Sequence, residues 1–143
     1  MERLYLIARV ADETIALPAG EIQSVVEVHD IAAIPRAPDH VAGLFALRSR
    51  VLTVIDSQRA LGLGTHPHGA GPAVIVEVDG HSYALLVDQV EDVIEAAAPE
   101  PCPAVLGPSW RRAARGSIVR EEGAVLLLDP GRIVAGPDPV APR

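Results

Sequence analysis

The residues of this chain best suited to chemistry are few, and their spacing does not assemble a reaction centre. His66-Pro67-His68 comes nearest to a metal motif. Both histidines lie in a glycine-rich stretch with no cysteine nearby and no carboxylate in register, whereas a metal site needs three or four convergent ligands. Cys102 is the only cysteine, so no internal disulfide framework exists. Standing between Pro101 and Pro103, it reads as an inert thiol rather than a nucleophile. No Walker sequence or nucleophile elbow is present, and Gly62 and Gly64 lack both the strand–loop–helix setting and the lysine of a phosphate-binding loop. The expectation is a protein without a catalytic site, metal or cofactor.

The remaining charged residues divide by position. Asp56 and Asp129 each follow an apolar stretch and precede a short helical one, where a carboxylate accepts backbone N–H bonds as a helix N-cap. Glu27 and Glu95 end apolar stretches, where an exposed carboxylate can meet a partner. Arg111, Arg112 and Arg115 form the one dense basic group and read as a solvated loop. The net charge of −7 repels a phosphate backbone and an anionic lipid surface, which argues against nucleic acid or membrane as partner. The apolar N-terminal stretch is too short for a signal peptide and runs into Asp12 and Glu13. No apolar run approaches the roughly 18 residues that cross a bilayer. A soluble, cytoplasmic protein without membrane insertion is expected.

The elements that position these residues should be strands. Hydrophobic residues make up 49% of the 143 positions but aromatics only 3%, so the core must be aliphatic, and β-branched side chains pack well on a pleated surface. Strand patterns cover 4–10, 13–17, 42–47 and 51–55, then 73–78, 82–87, 117–120 and 124–128. Asp79-Gly80 between two apolar runs is a tight-hairpin signal, and Ala11-Asp12 holds the matching place earlier. Ile22, Val25 and Val26 have the spacing of one helical turn, and 56–61 and 129–134 can each form a short helix. Residues 34–38 and 99–108 are proline-containing and should be extended loops.

The chain also repeats itself. Residues 13–28 match 81–96 at an offset of 68, with Ala16 on Ala84, Leu17 on Leu85, Val25 on Val93 and Glu27 on Glu95. Residues 43–61 match 116–134 at an offset of 73, with Gly43 on Gly116, Asp56 on Asp129 and Arg59 on Arg132. Self-similarity in constant order indicates internal duplication. Each unit then holds about five short strands, which suits a small closed barrel without exposed sheet edges. The expected fold is all-β: a first barrel subdomain over 1–65, a Gly/Pro linker, a second barrel over 73–135, and a disordered tail over 136–143.

Across roughly 4–134 the sequence resembles the CheW family, the coupling proteins of bacterial chemotaxis, whose domain also occurs in the CheA histidine kinase. The resemblance is carried by Ile22-Gln-Ser-Val25-Val26-Glu27-Val28, Ile34-Pro35-Arg36-Ala37-Pro38, Gly43-Leu-Phe-Ala-Leu47-Arg48 and Val54-Ile55-Asp56. It continues in Ala84-Leu-Leu-Val87-Asp88-Gln-Val90, Gly116 and Leu127-Leu128-Asp129. It implies two five-stranded SH3-like barrels that can exchange terminal strands, so that a boundary near residue 65 belongs to the sequence alone. It also implies a non-enzymatic adaptor with two kinds of partner. Chemoreceptor cytoplasmic tips, which are helical hairpins, would sit in the groove between barrels, and a CheA-like kinase regulatory domain would dock barrel to barrel. Val25, Glu27 and Arg48 fall on the family's receptor-contact positions, with Leu86 and Val87 on the adjoining groove. Two positions depart from the pattern: Ser49 stands where the family prefers glycine, and Thr53 where it often has proline. If the turn needs a positive φ at Ser49, the hairpin beside Arg48 must be remodelled. Three alternatives stay open at this level: local structural roles, with Val25 in the core and Arg48 paired to Glu27; an adaptor outside motility; and a small-molecule-sensing or enzymatic SH3-barrel.

Overall fold

The computed structural model describes residues 2–67, 69–103 and 106–137. The first repeat contains β1 (Arg3–Val10), β2 (Glu13–Pro18), a 3-10 turn (Ala19–Glu21), β3 (Ile22–Val28), β4 (Val41–Leu47), β5 (Arg50–Asp56) and α1 (Ser57–Ala60). The second contains β6 (Gly71–Val78), β7 (His81–Leu86), β8 (Gln89–Ala96), α2 (Pro108–Ala113), β9 (Ala114–Arg120), β10 (Gly123–Leu128) and α3 (Pro130–Ala135). The protein is thus mainly β, with helices of four to six residues.

Two expectations are corrected here. Ile22, Val25 and Val26 lie on β3, not on a turn of helix. The reason is a bulge: Ile22 pairs with Val76 and Ser24 with Ile75, leaving Gln23 unmatched, so the period of two is broken and the apolar spacing imitates a helix. The basic group is not a solvated loop either, because Arg111 and Arg112 sit on α2 and Arg115 on β9.

The strands form two five-stranded sheets, ordered β8-β1-β2-β10-β9 and β3-β6-β7-β5-β4. Replacing each strand by its counterpart in the other repeat converts one order into the other. Each sheet therefore takes two strands from one repeat and three from the other. Neighbours are antiparallel except at β2–β10 and β5–β7, which are parallel. The hairpins behave as their residues require. Ala11 and Asp12 have φ of 52° and 66°, and Asp79 and Gly80 have 52° and 79°, the paired positive values of a tight turn that follows the strand twist.

Both sheets are closed by a backbone bridge between an extension of one edge strand and the opposite edge. Ala32 bridges Leu44 in one, and Glu100 bridges Ser117 in the other, at the same offsets of 68 and 73 that relate the sequences. Each crossing needs a glycine. A Cβ on Gly43 would collide with the Ala32 carbonyl, and one on Gly116 would lie 2.6 Å from the Glu100 carbonyl oxygen.

Burial follows the alternation of side chains along the strands. On β1, Tyr5 and Ile7 enter the interior of one barrel, whereas Leu6, Ala8 and Val10 join a layer between the sheets. On β6, Ala73 and Ile75 fill the other barrel, and Val74 and Val76 face the same shared layer. Strands buried on both faces read as near-continuous apolar runs. The shared layer holds Leu17, Ile55, Leu85 and Leu128 as well, and each such side chain stabilises the fold by about 1.5–3 kcal/mol.

Candidate partner-binding surface

Val25 and Glu27 are two apart on β3 and point away from the barrel interior, while Val28 is buried within it. Val25 is 43% exposed, and Glu27 is exposed too, so the core role for Val25 does not hold. Arg48 is the first of two turn residues between β4 and β5, with φ 55°. Ser49 next to it is not left-handed, so this turn places its positive φ on the arginine and accommodates serine without strain. Neither Arg48 nor Glu27 makes an ion pair or side-chain hydrogen bond with a described residue. Their mutual pairing inside the barrel is thereby excluded.

The neighbouring arginine behaves differently. Arg50 donates from Nη2 to Ser82 Oγ, and Gln23 donates from Nε2 to Glu77 Oε1 at 3.1 Å, which forms a polar row across β3, β6, β7 and β5. Arg50 is thus held against the sheet while Arg48 stays free. The seam at Ala32–Leu44 is antiparallel. From it β3 runs back toward Glu27 as β4 runs on toward Arg48, which sends the two charges to the same end of the barrel.

Sequence reasoning missed a patch beside them. Leu44 and Val51 are 36% and 65% exposed on the β4–β5 hairpin, with exposed Ala46 paired to Val51. The available signal was the hairpin's outer positions, which carry Leu44, Ala46 and Val51 where solvent-facing positions are usually polar. Leu86 and Val87, by contrast, leave the surface set. They are 1% and 2% exposed, Leu86 at the end of β7 inside the barrel and Val87, the next residue, in the shared layer, because consecutive residues of an extended chain covered on both sides enter different cores.

Asp56 and Asp129 are N-caps. Asp56 Oδ1 accepts from the Arg59 N–H at 3.1 Å, and Asp129 Oδ1 from the Gly131 N–H at 2.8 Å. Their second oxygens differ. Asp56 Oδ2 accepts the backbone N–H of His66 at 2.9 Å, and Asp129 Oδ2 instead lies 3.1 Å from Arg115 Nη2. Arg115 also meets Glu21 at 2.8 Å, and that hydrogen bond first, then Asp129, raises its pKa above the ordinary arginine value.

His66 is buried in the linker, its Nε2 2.8 Å from the Ala70 carbonyl and its Nδ1 3.6 Å from Asp88 Oδ1; its sequence partner His68 lies outside the described residues. Cys102 is half-buried against the shared layer. Among the described residues, no three His, Cys, Asp or Glu side chains converge as metal ligands. No helix there is long and apolar enough to cross a membrane.

Two closed barrels interlocked by strand exchange, with an exposed apolar hairpin beside unpaired charges, define a rigid scaffold for protein binding. The model of the CheW-like domain matches residues 4–137, and the chain belongs to that family. The chemotaxis protein CheW of Rhizobium meliloti is 25% identical over 130 residues, covering 89% of this chain and 84% of that protein. A probable chemotaxis protein CheW of Rhizobium etli is 23% identical, covering 90% and 84%. The crystal structure of the scaffolding protein TtCheW from Thermoanaerobacter tengcongensis superposes with a TM-score of 0.81 at 24% identity, covering 93% of this chain and 92% of that one. This chain is a chemotaxis adaptor and not an enzyme.

Proposed function

We propose that this adaptor works in the cytoplasm by coupling chemoreceptor cytoplasmic tips to a CheA-like histidine kinase, binding both as protein partners. The observation that carries the receptor half is the unsatisfied pair Glu27 and Arg48 beside exposed Val25. Charges without internal partners stay hydrated in the free protein and are available to orient an incoming helix whose apolar anchors meet Val25. Leu86, in the barrel core with Val28 of β3, supports that surface from beneath, while Val87 faces the shared layer. The kinase regulatory domain docks on a different barrel face.

The test is titration of the purified protein against a receptor-tip hairpin and, separately, against the kinase regulatory domain. Binding to both, with substitution of Glu27 or Arg48 weakening only the first, is the expected result. Failure to bind either partner from chemotaxis, with binding to a receptor and kinase of another pathway, would shift the reading to an adaptor outside motility.

A further inference from the structure

Neither repeat closes a barrel alone. β1 and β2 complete the sheet of β8, β9 and β10, while β6 and β7 complete that of β3, β4 and β5. The parallel ladders Leu126–Ile15 and Thr53–Tyr83 and the antiparallel pairs β1–β8 and β3–β6 all run between repeats. The shared layer is likewise built from both repeats. Segment 62–70 is the one covalent joint between these interlocked halves.

We infer that a second copy of this chain is a partner for it, through reciprocal exchange of whole repeats across that joint. In such a dimer the first repeat of one copy closes both barrels with the second repeat of the other. Every strand pair and every core contact outside the joint is kept, twice over, and only the path of the joint changes. The joint suits a hinge. Gly62, Gly64 and Gly69 all have positive φ, and a Cβ at Gly69 would meet nothing within 4 Å. What favours the monomer is proximity: a short tether gives the tethered half an effective concentration of about 1 mM. The monomer therefore dominates at about 1 μM, and the exchanged dimer becomes comparable near 1 mM chain, a concentration reached where copies are crowded together.

The test uses full chains with a protease recognition sequence inserted after Gly69. One preparation carries an N-terminal tag, the other a different C-terminal tag. The two are unfolded together at about 1 mM, the effective concentration of the tether, and refolded. The dimer fraction is isolated and cleaved. Exchange predicts particles of the monomer's size, 15.0 kDa plus tags, each holding two fragments, with every mixed dimer yielding one doubly tagged and one untagged particle. Chains refolded separately and mixed afterwards should give only singly tagged particles. Doubly tagged material that stays at twice that size after cleavage would mean association through outer surfaces, and would overturn the inference. So would refolding to monomers alone, or complete dissociation of the cleaved halves.

Discussion

The Asp56 carboxylate holds two segments at once: Oδ1 caps α1 and Oδ2 accepts the backbone N–H of His66 at 2.9 Å. Through the second bond the linker is drawn over the barrel, and His66 becomes buried. The repeat-related Asp129 caps α3 in the same way but turns its Oδ2 to Arg115. One inherited carboxylate thus fixes a chain crossing in one repeat and an ion pair in the other. The ion pair is partly exposed and contributes little, since such pairs are worth about 0–1 kcal/mol.

That difference fixes an order of stabilities. Asp56→Ala removes a cap, worth about 1 kcal/mol, and orphans a buried N–H, worth about 1–3 kcal/mol more. Asp129→Ala removes a cap and leaves Arg115 with Glu21. Urea denaturation should show Asp56→Ala losing about 2–4 kcal/mol and Asp129→Ala about 1–2 kcal/mol. Equal losses would show that the His66 contact contributes nothing to stability.

The two seam glycines provide a second check. Gly43→Ala and Gly116→Ala each push a methyl into a carbonyl of the crossing strand, and Gly43 also sits at φ 149°. Each should destabilise by at least about 1–3 kcal/mol, the usual cost of an over-constrained backbone site. Gly20→Ala is the control, because nothing lies within 4 Å of its added Cβ. A thermal midpoint for either seam variant equal to that of the Gly20 control would mean the barrels do not close at these bridges.

At the first hairpin the repeats point to a stabilising change. Asp12 occupies φ 66° where the matching turn has Gly80, and the Asp12 backbone N–H already donates to Asp88 Oδ2. Left-handed backbone costs a non-glycine residue about 1–2 kcal/mol, while glycine loosens the unfolded chain by about 0.4–1 kcal/mol. The first effect wins, so Asp12→Gly should stabilise by about 0.5 kcal/mol in equilibrium unfolding. A loss of stability would show that the Asp12 side chain contributes something beyond the turn.

Much of this architecture was legible because duplication and alternation are written in residue types. The offsets of 68 and 73 locate the seam bridges and also the bulged residues Gln23 and Glu91, Ala42 and Arg115. β3 and β8 were hidden for one shared reason. The bulge near the start of β3 and its counterpart in β8 interrupt alternation, and both strands are largely solvent-exposed, so no apolar face announces them. Depth was not legible either. Leu86 and Val87 look like any apolar strand end until the second sheet covers them. The Arg115–Glu21 contact joins residues 94 positions apart, which no local pattern encodes.

The proposed receptor surface turns on Arg48, where backbone and charge must be separated. Its φ of 55° is strained for arginine but tolerable for asparagine, whose short side chain suits left-handed backbone. Arg48→Asn therefore removes the charge and leaves the turn intact, whereas Arg48→Glu reverses the charge. Because the guanidinium has no partner among the described residues, neither change should move stability by more than about 0.5 kcal/mol. Binding to a receptor-tip hairpin should weaken by about 1–3 kcal/mol for Arg48→Glu, the range for loss of a charged contact, and by less for Arg48→Asn. Rim charges act strongly on encounter, so the association rate should fall and the salt dependence of binding should flatten in Arg48→Asn. Affinity for the kinase regulatory domain should stay unchanged in both variants. Melting temperature and both affinities, measured on the same samples, separate the possibilities. A large drop in melting temperature would make Arg48 a structural ion, and intact receptor binding in Arg48→Glu would remove this turn from the interface.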